Sequence, residues 1–124
     1  MRTISAVCLL VMAGCGTDPD SSCEGPYTVT VTREERPMIS WTPADCRMYE
    51  VDVDETQLHR WRLGGYREAN YISSPVRYGT TEPTSGSQAA SLFTGFFYNV
   101  DLWRLDEEGL PRRVASQRFL HQER

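Results

Sequence analysis

The nine residues Phe97 to Leu105 (FYNVDLWRL) alternate so that Tyr98, Val100 and Leu102 fall on one side and Asn99, Asp101 and Trp103 on the other. A period of two is the signature of an extended strand with one buried face, and a helix cannot use it. The same period recurs in short runs along the chain. Tyr27 to Arg33 (YTVTVTR) alternates apolar residues with threonine, and Met38 to Thr42 (MISWT) follows after a turn through Glu34-Glu35-Arg36-Pro37. Met48 to Val53 (MYEVDV) places Tyr49, Val51 and Val53 together, and His59 to Leu63 (HRWRL) sets His59, Trp61 and Leu63 opposite Arg60 and Arg62, until Gly64-Gly65 breaks the pattern. Tyr71 to Tyr78 is extended but holds Pro75, which confines it to an edge or a kink. Arg113 to Leu120 (RVASQRFL) closes the series after a turn from Asp106 to Pro111. No segment holds a helical period. Short strands at this spacing predict an all-β domain, a seven-stranded β-sandwich.

At 124 residues the chain has room for one such domain and a short extension. Its hydrophobic content of 40% and charged content of 24% fit a globular protein. The net charge of −4 offers no field for collecting phosphates, which speaks against nucleic acid as a partner. All the basic residues are arginine, so lysine Schiff-base chemistry and the lysine of a phosphate-binding loop are excluded. The histidines are His59 and His121 alone, too few for a histidine-rich metal site.

The N-terminus reads MRTISAVCLLVMAGC. Arg2 precedes a nearly unbroken apolar run from Ile4 to Ala13, about half of the roughly twenty residues needed to cross a bilayer. A run this short matches the apolar region of a secretory signal. Met12-Ala13-Gly14-Cys15 resembles the lipobox of bacterial lipoproteins. The resemblance implies removal of residues 1–14 and lipidation of Cys15, whose acyl chains would hold the mature chain to a membrane. An ordinary secretory signal that happens to contain Cys15 is the plainer alternative. Gly16 stands where enterobacterial lipoproteins retained at the inner membrane carry aspartate, so the resemblance points to the outer membrane. Small, polar, proline-broken residues follow (GTDPDSS), and residues 15–25 read as a flexible tether.

With Cys8 removed and Cys15 lipidated, Cys23 and Cys46 remain as a pair in an oxidising compartment. If Tyr27–Arg33 and Met38–Thr42 form a hairpin, the midpoint of the two cysteines falls at its turn, so both lie at its open end. A structural disulfide is expected there. A metal site or redox pair is the alternative, and two thiols with no neighbouring histidine make a poor zinc site.

Leu92-Phe93-Thr94-Gly95-Phe96-Phe97-Tyr98 resembles the tyrosine corner of fibronectin type III domains, in which leucine, glycine and tyrosine (here Leu92, Gly95 and Tyr98) recur at these intervals. Ile39-Ser40-Trp41 resembles that family's second strand. The resemblance covers residues 26–121 and implies an immunoglobulin-like sandwich in which the Tyr98 hydroxyl caps upstream backbone. The link Thr80 to Ser91 (TTEPTSGSQAAS) is longer than the family's. It reads equally well as a binding loop or as a solvated connection.

Function is less legible. Trp103, pointing outward with Asn99 and Asp101, is a candidate contact residue because aromatic anchors dominate many interfaces. The plainer alternative is a surface cation–π stack with Arg60, Arg62 or Arg118. Asp52 and Asp54 share a face with Glu50, and a solvated face paired with Arg60 and Arg62 accounts for them without calcium. No serine sits in a GxSxG elbow, and a small sandwich offers little cleft to raise a carboxylate pKa. The expectation is therefore a non-enzymatic, lipid-anchored envelope protein with no cofactor and no metal. Its surface of Trp103, Arg60, Arg62, Glu50 and Asp101 would meet an envelope protein or polysaccharide. A carbohydrate-binding module is the alternative, and a small hydrolase a more distant one.

Overall fold

The computed structural model describes residues 23–55, 58–65, 67–81 and 89–122. The lipobox and Cys15, most of the Thr80–Ser91 link and the side chain of His59 lie outside the described residues. The described chain is all-β and contains no α-helix. Its strands are β1 (Thr28–Val31), β2 (Met38–Thr42), β3 (Glu50–Glu55), β4 (Leu58–Gly64), β5 (Val76–Arg77), β6 (Phe97–Leu105) and β7 (Pro111–Leu120). They form two antiparallel sheets, a three-stranded one ordered β1-β2-β5 and a four-stranded one ordered β4-β3-β6-β7.

The two sheets share one core, as the layers of a sandwich do. Ile39, Trp41 and Val76 from the smaller sheet meet Val51, Val53, Trp61, Leu63, Tyr98, Val100 and Leu102 from the larger. Those from the larger sheet are the alternate positions that the period-two reading sets on one face of each strand. Met48 and Ile72 join the same core from outside the strands and form an isolated antiparallel bridge with each other.

The segment expected to be extended from Tyr71 to Tyr78 pairs as a strand only at Val76–Arg77, on the edge of its sheet. Pro75 has no amide to donate to the ladder, and beyond the two paired residues the backbone N–H of Trp41 donates to the Ser74 hydroxyl at 3.0 Å. A side-chain oxygen thus takes the place of a ladder carbonyl. Gly64 does not end its strand but completes it, opposite Glu50. Its φ is +96°, and a Cβ there would lie 2.4 Å from the Tyr49 carbonyl oxygen. Only glycine fits.

Cys23 and Cys46 are joined by a disulfide with a Cα–Cα distance of 5.6 Å. It lies at the end of the domain where the chain enters β1. Tying residues 23 apart in sequence limits the unfolded chain, an effect of about 3 kcal/mol. Replacing both cysteines with serine is expected to lower the unfolding free energy by about that amount, read from urea denaturation with an unchanged m-value.

Tyr98 is fully buried, and its hydroxyl accepts the Phe93 backbone N–H at 2.8 Å. Phenylalanine at position 98 would keep the packing and leave that amide without its acceptor. Tyr98→Phe is expected to cost about 1–2 kcal/mol in the same measurement.

Candidate functional site

The outer face of the four-stranded sheet is built from β3, β4, β6 and β7. Cross-strand register places Glu50 opposite Trp103 and Asp52 opposite Asp101 on the two central strands. Arg62 of β4 stands opposite Asp52, and Arg113 of β7 opposite Trp103. The structure therefore brings together Glu50, Arg62, Asp101 and Trp103 of the expected surface, and adds Asp52 and Arg113.

Arg60 does not join them. A bulge between Val53 and Asp54 interrupts the β3–β4 register, and a bulge breaks strict alternation beyond it. The Arg60 guanidinium pairs with Glu55 at 2.5 Å and lies 6.0 Å from the Phe93 ring centroid.

Asp52 and Asp101 are buried, each with 8% exposure, although alternation alone places both outward. The reason is their position on central strands, where longer side chains flank them on both sides. Arg62 Nε approaches Glu50 at 3.4 Å and Asp52 at 3.7 Å, and Arg113 lies 4.0 Å from Asp101. Burial pushes the Asp52 carboxyl up to about 9; Glu50 beside it adds to the rise through a hydrogen bond and its charge, and Arg62 opposes it. Asp52 therefore holds a proton at neutral pH. Trp103 is half-buried, with its indole N–H enclosed. Arg118 lies over Phe97, 4.1 Å from the ring centroid, rather than over Trp103. This face is a tightly packed charge layer with little of the tryptophan on offer.

The chemistry of a metal centre is not assembled here. Among the described residues no group of three or more His, Cys, Asp or Glu side chains could hold a metal ion. A cavity of about 350 Å³ opens beside the edge strands β4 and β5, floored by Leu63, Ile72 and Val76. Its guanidinium groups are engaged elsewhere: Arg77 bonds Glu34 at 2.8 Å and the Arg36 carbonyl at 2.9 Å, and Arg67 lies over Tyr71.

Sequence reasoning missed a second surface. Phe93, Phe96, Phe97 and Leu120 are exposed by 53, 49, 49 and 37%. They gather at one end of the sandwich. Phe93 and Phe96 stack with centroids 5.7 Å apart, Phe97 pairs with Leu120, and His121 exchanges backbone hydrogen bonds with Gly95 and Phe96. His121 itself is buried edge-on against Tyr98. The signal was present in Phe93-Thr94-Gly95-Phe96-Phe97, where Phe93 and Phe96 flank a turn and Phe97 opens β6 on its outward side.

Compared with family models, curated proteins and solved structures, the chain matches none.

The raised Asp52 carboxyl makes stability depend on pH in a definite sense. Its proton is held more tightly in the folded state than in the unfolded one, so stabilisation is complete below about pH 4 and is lost as pH rises toward 9. The melting temperature is expected to fall between pH 5 and pH 8. Asp52→Asn, which carries a permanent neutral donor, should flatten that decline in a calorimetric pH series.

Proposed function

We propose that this protein is a lipid-anchored envelope lipoprotein whose fibronectin type III-like domain serves as a non-enzymatic interaction module. The observation that carries the reading is the Cys23–Cys46 disulfide. Disulfides persist in oxidising compartments, which is where a lipobox signal would deliver the chain. The bridge lies where the chain enters the domain, and Cys23 follows Cys15 by eight residues in sequence. It is suited to hold β1 in place where the tether joins. The fibronectin type III reading draws support from the sheet orders β1-β2-β5 and β4-β3-β6-β7, and from the Tyr98 hydroxyl meeting upstream backbone. The packed sheet face around Trp103 favours a structural part for that tryptophan over a contact.

Membrane fractionation of the full-length chain tests the anchor. The protein is expected in the membrane fraction, to incorporate labelled palmitate, and to lose both properties with Cys15→Ser. A palmitate-free chain that fractionates as soluble with Cys15 intact would overturn the proposal.

A further inference from the structure

The geometry points to the aromatic end of the sandwich, formed by Phe93, Phe96, Phe97 and Leu120 with Arg118, as a docking surface for another envelope protein whose apolar contact is bordered by carboxylates. The inference rests on the lipid-anchored reading for the direction in which that end faces.

Three observations lead to this occupant. The first is position. Antiparallel β3 and β6 place Leu105 and Glu50 toward the Cys23–Cys46 end, and Phe97, Asp54 and Glu55 toward the other. The exposed aromatics are therefore at the end remote from the point where the chain enters. Nine-residue β6 alone spans about 30 Å. The eight residues from Cys15 to Cys23 reach at most about 28 Å when fully extended. The tether would join the domain at the disulfide end, and the aromatic end is the one left farthest from that junction.

The second is size. The exposed parts of the three phenylalanines and the leucine amount to roughly 350 Å², the size of the largest apolar patch on an ordinary monomer, and such patches are often functional. A stable protein interface needs about 800 Å² on each side. Two copies meeting through this end alone would fall well short. A partner that wraps around the end can supply the remainder.

The third is charge. Arg118 lies across the Phe97 ring, and among the described residues no carboxylate lies within ion-pairing distance of it. A guanidinium fixed on an aromatic ring presents its edge to a carboxylate while the ring presents apolar surface beside it. Arg60, over Phe93, is by contrast neutralised by Glu55. Arg118 is thus a cation beside the exposed rings with no carboxylate partner among the described residues.

The test uses the full-length chain in intact cells of its own host, with a photo-crosslinking phenylalanine analogue in place of Phe96. A second chain carries the analogue in place of Leu110, which is 55% exposed at the opposite end. Irradiation is expected to yield one discrete protein adduct from position 96 and none from position 110. The crosslinked partner peptide should hold aspartate or glutamate, and Arg118→Glu should reduce the adduct about tenfold. Phe96→Ser, at an exposed site, should abolish binding of the isolated partner while leaving the melting temperature within a few degrees. An adduct of twice the chain mass would assign the surface to self-association and overturn the proposal. So would adducts to lipid or glycan alone, equal yields from positions 96 and 110, no adduct, or indifference to Arg118→Glu. Fractionation of the same cells separates the two readings. A specific adduct from a soluble chain refutes the anchor and keeps the docking surface; a membrane-bound chain without the adduct does the reverse.

Discussion

The polar tips of buried aromatic side chains hold together the parts of this domain that strand pairing cannot reach. Trp41 lies in the core and donates its indole N–H to the Cys46 carbonyl at 2.7 Å. Trp61 does the same for the Thr80 carbonyl at 3.0 Å. Tyr78 donates to the Ala90 carbonyl at 2.5 Å, Tyr49 to the Gly65 carbonyl at 3.0 Å, and Tyr27 to the Cys23 carbonyl. Tyr98 accepts from the Phe93 amide. Each of these carbonyls and the amide belongs to an irregular segment next to the core, where a backbone group without a partner would be costly. An aromatic ring supplies buried area and a donor or acceptor at once. The connections at both ends of the sandwich are therefore fastened to the hydrophobic core itself, and loosening the core would release them together. Asn70 adds a non-aromatic fastening: its side chain receives the Leu105 N–H at 2.7 Å and donates to the Leu105 carbonyl at 3.2 Å.

This arrangement explains what the sequence reveals and what it withholds. Inward residues of β2, β3 and β6 follow directly from alternation, because a strand in a two-layer fold has no other way to bury one face. The disulfide follows from hairpin symmetry about Glu34–Pro37. Ser74 could not be foreseen as the partner of the Trp41 amide, since that bond joins residues 33 apart through a kink made by Pro75. Nor could the separation of Arg60 from Arg62, which depends on a bulge that leaves no mark in the residue pattern. Alternation gives the face on which a side chain stands. It does not give the depth at which that side chain ends.

Depth matters most on the outer face of the larger sheet. Asp52 and Asp101 stand on the side that alternation labels polar, yet both are covered by their neighbours on β3, β4, β6 and β7. Two aspartates directly opposite each other on central strands would repel if both were ionised. A proton retained on Asp52 relieves its repulsion by Glu50 and Asp54, while Arg62 lies beside Asp52 and Arg113 beside Asp101. The layer pairs its charges internally, and Trp103 contributes cover to it, while the Arg62 and Arg113 side chains stay largely in water.

The two ends of the molecule differ for the same reason. At the end marked by Cys23 and Cys46, covalent closure and the Trp41 and Tyr27 hydrogen bonds leave the chain fastened. At the opposite end Tyr98 fastens the backbone at Phe93, and the turn that follows still leaves Phe93 and Phe96 in water, with Phe97 beside them at the start of β6. Burying them inward was not open to the fold, because Tyr98, Phe119 and His121 already fill the space beneath. A turn of small polar residues would have met the same backbone requirement, with glycine at the one position that needs φ of +88°. The core explains why the turn is held, and nothing in the core requires that it carry Phe93 and Phe96 or that β6 open on Phe97. Their presence calls for a reason outside the domain.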